Sequence, residues 1–188
     1  MTSQPPIPHL AAVGLGANLP SPAGSPRQTL LAAIADLSAA GTVVSQSPFY
    51  RTEPVGLANQ PPFVNAALLL QTALGPEPLL RFLLDIEQRY GRTRAHDIPK
   101  GPRTLDLDLL LFDDLVLSTP DLVLPHPALA HRRFVLEPLS QIAPHLRHPV
   151  LGKTIAELLT DLPDEGPNSR SSVVPLDNLQ PQPPVRHG

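Results

Sequence analysis

Arg103-Thr104-Leu105-Asp106-Leu107-Asp108-Leu109-Leu110-Leu111-Phe112 is the stretch on which the reading of this chain turns. Successive side chains of a strand point to opposite faces, so Leu105, Leu107, Leu109 and Leu111 form an apolar face and Asp106 and Asp108 stand together on the other. The alternation predicts a strand from 103 to 112. Upstream, residues 77–90 place Leu79, Leu80, Leu83, Leu84 and Ile86 at helical spacing and stop before Gly91. Before that helix come two runs rich in β-branched, aromatic and apolar residues, 42–52 and 63–74, with a Pro/Gly/Asn loop between them. Ser25-Pro26 supplies an N-cap and a first-turn proline to a helix carrying Leu30, Leu31, Ile34 and Leu37, with Gly41 to stop it. Residues 9–15 form an apolar run that enters a loop at Gly14 and Gly16, as a buried strand does. The order β-α-β-β-α-β predicts an α/β (α+β) sandwich of the ferredoxin-like type with an antiparallel sheet. Downstream, Asp113-Asp114 turns the chain into Leu115-Val116-Leu117 as a hairpin partner, and helices are expected over 132–142 and 153–160.

The 188 residues suffice for one domain. Residues 1–8 are polar and proline-rich, and residues 163–188 contain six prolines and no Phe, Tyr or Trp. Such segments cannot bury enough apolar surface to offset their ordering entropy, so a flexible N-terminus, a folded domain over 9–162 and a disordered tail over 163–188 are expected. There is no internal repeat. With 14 basic against 17 acidic residues the net charge is -3, which gives no global reason for a nucleic-acid or anionic-membrane partner. The absence of cysteine excludes disulfides, thiolate metal sites and a cysteine nucleophile. No apolar run is long enough to span a membrane, and the N-terminus has neither a basic nor an apolar leader segment. A cytoplasmic monomer acting on small molecules is the expectation.

Two adjacent carboxylates repel unless a positive group sits between them. Magnesium, which takes hard oxygen ligands and shares its shell with phosphates, suits Asp106 and Asp108, although a solvated strand face has the same pattern. The chain has 12 Arg and two Lys, and Arg89, Arg92, Arg94 and Arg103 fall within fifteen residues, joined by Lys100. The planar guanidinium fork binds phosphate oxygens in pairs. A solvated basic loop would explain the arginines alone; a nucleotide–magnesium site explains them together with the aspartates. Gly14-Leu15-Gly16-Ala17-Asn18-Leu19 misses a dinucleotide fingerprint at Leu19, and Gly152-Lys153-Thr154 misses a P-loop because Arg147 stands where the first glycine belongs. Phosphate binding must therefore rest on metal and arginines. His126, held between Pro125 and Pro127, is either structural or a phosphate donor, and His145 and His148 have no carboxylate companion.

Gly101-Pro102-Arg103-Thr104-Leu105-Asp106-Leu107-Asp108, with Phe49-Tyr50-Arg51-Thr52, Phe63-Val64-Asn65-Ala66-Ala67, residues 87–94 and Pro125-His126-Pro127, resembles the 6-hydroxymethyl-7,8-dihydropterin pyrophosphokinases of folate biosynthesis over about residues 9 to 160. The resemblance implies a ferredoxin-like fold and transfer of the β,γ-pyrophosphoryl group of ATP to the pterin hydroxymethyl oxygen, releasing AMP. It implies two Mg2+ ions on Asp106 and Asp108, with Arg92 and Arg103 completing the catalytic set by neutralising the transferring phosphates. It further implies a pterin site of Thr52, Val55, Phe63, Asn65 and Phe134. The ATP contacts it implies are Glu87, Arg92, Arg94, Arg103, Leu110, His126 and Arg132. Ala17, Phe63, Pro99-Lys100, Asp121 and Val123 depart from the family pattern, and their expected effect falls on lid closure and ATP affinity.

Overall fold

A computed structural model describes residues 8–56, 59–93 and 99–178. The chain forms β1 (His9–Ala17), α1 (Pro26–Leu37), β2 (Thr42–Gln46), β3 (Tyr50–Thr52), β4 (Phe63–Thr72), α2 (Pro76–Arg89) and β5 (Asp106–Phe112). It continues through a short hairpin, β6 (Leu117–Ser118) and β7 (Val123–Leu124), to α3 (Arg133–Ile142), α4 (Ile155–Asp161) and β8 (Val173–Pro175). Local chemistry sets the helix starts. Ser25 Oγ accepts the Gln28 N–H while Gln28 Oε1 accepts the Ser25 N–H at 2.8 Å, a reciprocal cap that begins α1 where Pro26 fits its first turn. Helix α2 likewise starts on Pro76 and buries Leu79, Leu83 and Ile86.

The main sheet runs β5-β1-β4-β3-β8, with β2 also paired to β4, and every pairing is antiparallel. This is the expected βαββαβ arrangement. Helices α1 and α2 cover one face through a core of Leu30, Leu37, Leu79, Leu83 and Ile86 against Val13, Leu68, Leu70, Leu105 and Leu107. Helices α3 and α4, with the turn Leu129–His131 before α3, cover the other through Leu129, Leu136, Leu139, Ile155 and Leu158 against Ala12, Ala67, Leu110 and Leu111. Among the described residues no helix is long and apolar enough to cross a membrane.

Four features differ from the sequence-based expectation. The strand expected over 42–52 is two strands, because Pro48 cannot donate to a ladder and Ser47 takes over there: its N–H donates to Ala67 O and its Oγ accepts the Ala67 N–H, each at 2.9 Å. In β5 the pairing passes from Val13↔Leu109 to Ala12↔Leu111, so Leu110 is a bulge residue. That extra residue moves Leu111 off the face of Leu105, Leu107 and Leu109 and into the α3/α4 core. The hairpin expected after Asp114 pairs β6 with β7 instead of with β5. Asp113, at φ 45°, accepts the Leu10 N–H on its carboxylate at 2.8 Å, and the chain leaves the sheet edge at that point.

The fourth difference lies in residues 163–178. Over 163–178 the chain is packed on the domain: β8 pairs with β3 (Tyr50↔Pro175, Thr52↔Val173), Val173 is 7% exposed, and Leu176 packs against the core. An edge strand offers unpaired backbone groups, and Val173-Val174 supplies a β-branched pair that takes them up. The Glu53 N–H donates to Ser172 O at 3.1 Å and the Leu176 N–H to Phe49 O at 2.8 Å, extending the ladder at both ends. Residues 179–188 of the expected tail, and residues 1–7 of the expected flexible N-terminus, lie outside the described residues.

Candidate active site

On the α3/α4 side of the sheet, the ends of β1, β4 and β5 are left uncovered and floor a cavity of about 230 Å³. Antiparallel register sets Gly14 opposite Asp108 and Gly16 opposite both Asp106 and Asn65. Glycine at these two positions is what leaves the floor open. A Cβ on Gly16 would stand 2.6 Å from Asn65 Oδ1, so the glycine lets the amide lie over the strand. These glycines, read from the sequence as a failed nucleotide fingerprint, shape the site by having no side chain. The available signal was glycine at period two within an apolar strand.

Phe63 at the start of β4 and Phe134 in the first turn of α3 supply aromatic walls, and Thr52, Val55 and Lys100 close the side. Asn65 is buried, and its Nδ2 donates to the buried Thr52 Oγ1 at 2.6 Å, which fixes the orientation of the amide. Arg132, the residue before α3, sets its guanidinium 5.6 Å from the centre of the Phe134 ring.

Charge is concentrated at the carboxylate pair. Asp106 receives hydrogen bonds from Arg92 and from Arg103 Nη1, the latter at 2.7 Å. Burial pushes the Asp106 carboxyl up, but the two guanidiniums outweigh it and hold the group below the usual carboxylate range. Asp108 moves the other way. Burial and then the negative charge of Asp106 raise it, while His126, Arg132 and Arg92 oppose the rise. His126 Nδ1 accepts the Ala128 N–H at 3.1 Å, so the ring proton sits on Nε2, 4.0 Å from Asp108 Oδ1. The Asp106 and Asp108 side chains keep 22% and 34% of their surface toward the cavity. Among the described residues no cluster of three or more His, Cys, Asp or Glu side chains gathers to hold a metal ion. A cation here would take two protein carboxylates and fill its remaining positions with water or ligand oxygens, which is how magnesium is held beside a polyphosphate.

Behind the pair lies a buried support. Glu87 is 1% exposed, accepts the Leu107 N–H at 2.8 Å and pairs with Arg92 Nη1 at 2.8 Å. Arg92, its side chain 7% exposed, also donates to Leu105 O at 3.2 Å. Asn18, which drew no attention as a site residue in the sequence, fixes Arg103 from both sides: the Asn18 and Leu19 N–H groups donate to Arg103 O, and Asn18 Oδ1 accepts the Arg103 N–H at 2.8 Å.

Of the residues expected to form the site, Thr52, Val55, Phe63, Asn65, Arg103, Asp106, Asp108, Arg132 and Phe134 line the one cavity. Four others do not. Arg92 and Glu87 stand behind Asp106, and His126 faces Asp108 from the rim of a neighbouring groove. Leu110 is 1% exposed, its side chain packs within the α3/α4 core, and its carbonyl accepts the His126 N–H at 2.9 Å. Arg94 lies outside the described residues.

A family model described as 7,8-dihydro-6-hydroxymethylpterin-pyrophosphokinase matches residues 12–144. The chain is 44% identical over 156 residues to the 2-amino-4-hydroxy-6-hydroxymethyldihydropteridine pyrophosphokinase of Pseudomonas aeruginosa, covering 82% of this chain and 92% of that protein. It is 43% identical over 153 residues to the protein of the same name from Synechocystis, covering 80% of this chain and 75% of the relative. The crystal structure of Plasmodium falciparum HPPK-DHPS shares the fold, with a TM-score of 0.63 at 16% identity over 83% of this chain and 45% of that longer one. With the family model spanning most of the sheet and both relatives aligned over most of their length, the chain belongs to the 7,8-dihydro-6-hydroxymethylpterin pyrophosphokinase family.

Proposed function

We propose that the cavity binds 6-hydroxymethyl-7,8-dihydropterin beside ATP and Mg2+ and transfers the β,γ-pyrophosphoryl group of ATP to the pterin hydroxymethyl oxygen. The observation that carries this reading is the Asp106–Asp108 pair, flanked by Arg92 and Arg103, opening onto a cavity walled by two phenylalanines. A flat heterocycle fits between aromatic walls, and the Asn65 amide, held by Thr52, offers a donor and an acceptor to its edge. The hydroxymethyl oxygen attacks the β-phosphorus, the bond from that phosphorus to the oxygen bridging to the α-phosphate breaks, AMP leaves with that oxygen, and the hydroxyl proton is lost. Phosphoryl transfer asks little covalent help of the protein, so the residues act by placement and charge. Arg103, whose backbone Asn18 holds, would turn its guanidinium from Asp106 to the transferring phosphates, and Arg92, held by Glu87 behind Asp106, would add positive charge beside them. His126 presents its Nε2–H, and Arg132 its guanidinium, at the nucleotide side. Two magnesium ions held by Asp106 and Asp108 would neutralise charge on the transferring and leaving oxygens.

Product analysis tests this reading. Incubation with ATP, magnesium and 6-hydroxymethyl-7,8-dihydropterin should yield AMP in equal amount to pterin diphosphate. ADP as the nucleotide product would assign a different phosphoryl transfer, and no turnover would leave only a binding module.

Gly16→Ala offers a second test, because the added methyl must displace Asn65 Oδ1. The expected cost is about 1–3 kcal/mol of pterin affinity, the scale of a buried polar partner forced out of place. ATP affinity should stay near that of the unmodified protein. Calorimetry with each ligand measures both; equal losses for the two would contradict the pterin assignment of Asn65.

A further inference from the structure

We propose that Asn168 is a positioning residue for the active site: through the first turn of α3 it holds Arg132 and Phe134 where substrates meet them. The inference rests on the reading that these two side chains touch pterin and ATP.

Helix α3 begins at Arg133, and its N-cap residue, Arg132, provides no side-chain cap. The first N–H groups of a helix have no intrahelical partner, and a first turn without a cap frays. Asn168 supplies the missing cap from thirty-five residues away. Its Oδ1 accepts the Arg133 N–H at 3.0 Å, and its Nδ2 donates to His131 O at 3.1 Å, so one amide clamps the chain on both sides of Arg132. The backbone carbonyl of Asn168 accepts from Nε of the buried Arg133, whose Nη1 lies 3.3 Å from Glu137 Oε2.

The clamp is fastened at its far end. After Asn168 the chain runs through Ser172, whose carbonyl accepts the Glu53 N–H, into β8 beside β3. The same segment therefore holds His131 and Arg133, the neighbours of Arg132 and Phe134, on one side of the cavity and pairs with Thr52 on the other. Of the clamp's residues, Asn168 lies outside the segment matched by the family model, residues 12–144, while Arg132, Arg133 and Phe134 lie within it.

The experiment measures kcat and KM for both substrates in Asn168→Ala, Asn168→Asp and Phe134→Ala, made in the full chain. A variant that merely unfolds more easily reduces the number of active molecules, which lowers apparent kcat and leaves KM alone. A displaced Arg132 and Phe134 raise KM. Asn168→Ala is expected to raise KM for pterin and ATP by about five- to tenfold, the scale of a lost helix cap, with kcat within about twofold. Asn168→Asp keeps the oxygen that accepts the Arg133 N–H and adds negative charge at a helix N-terminus but loses the donor to His131 O, so its KM values should fall between those of Asn168→Ala and the unmodified enzyme. Unchanged KM in Asn168→Ala, with or without a fall in kcat, overturns the proposal, and so does an Asn168→Asp variant no better than Asn168→Ala. An unchanged pterin KM in Phe134→Ala would instead overturn the assignment of Phe134, on which the inference stands.

Discussion

Asp106→Asn and Asp108→Asn should each lower turnover by at least about 10²–10³-fold, yet move stability in opposite directions. The carboxylates leave the same strand face, and in the proposed mechanism both would ligate the metal at the phosphates, so neither replaces the other. Their surroundings differ. Asp106 is held below the ordinary carboxylate range by Arg92 and Arg103 acting against burial, so its charge contributes stability at neutral pH that is lost as pH falls through its folded-state value. Removing that charge leaves two guanidiniums short of a partner and should cost about 1–3 kcal/mol. Asp108 is raised by burial and by the charge of Asp106, so its ionised form opposes folding at neutral pH, a penalty that is relieved as the pH drops and the group is protonated. Asp108→Asn should therefore raise the melting temperature of the ligand-free protein. Thermal melts of both variants, beside AMP formation, check this; a lower melting temperature for Asp108→Asn, or near-normal turnover in either, would contradict it.

Glu87→Ala should be the most destabilising single change at the site, at about 3–5 kcal/mol. The Glu87 carboxylate is enclosed, pairs with a guanidinium that is itself 7% exposed, and caps the Leu107 N–H within β5. Its removal strands part of a buried charge and a backbone donor together. A loss of that size is a large fraction of a domain's total stability and corresponds to a fall of about 10 °C in melting temperature. Glu87→Gln, which can still accept the Leu107 N–H, should recover part of it. Urea titration at constant pH measures the loss. If Glu87→Ala melted normally and only the KM for ATP rose, Glu87 would be a nucleotide contact and not the support of Arg92.

The legible parts of this molecule are those whose cause is local. Ser25-Pro26 starts α1 through its own side chain and ring, and Asp106 and Asp108 share a face because strand geometry alternates, so both follow from a few neighbouring residues. The run Leu109-Leu110-Leu111 gives no alternation to read, so the bulge that transfers Leu111 to the other core is invisible until β1 lies beside it. Glu87, a carboxylate on an amphipathic helix, looks like a solvated residue; its burial depends on Arg92 and Leu107 arriving from later in the chain. The pairing of Val173 with Thr52 spans more than a hundred residues, and proline-rich composition around it conceals the strand. Asn18 and Asn168 act on backbone groups far away in sequence, and no spacing rule points to either.

The central claim is that Asp106 and Asp108 together hold the metal at the phosphates while Phe63 and Phe134 enclose the pterin. A crystal structure with magnesium, a non-hydrolysable ATP analogue and 6-hydroxymethyl-7,8-dihydropterin tests it most directly. The expected result is two magnesium ions held between the carboxylate pair and the nucleotide phosphates, Arg103 moved from Asp106 toward a phosphate, and the pterin ring between the two phenylalanines with its edge on Asn65. A triphosphate and metal bound away from Asp106 and Asp108, with Asp106 still paired to Arg92 and Arg103, would contradict it.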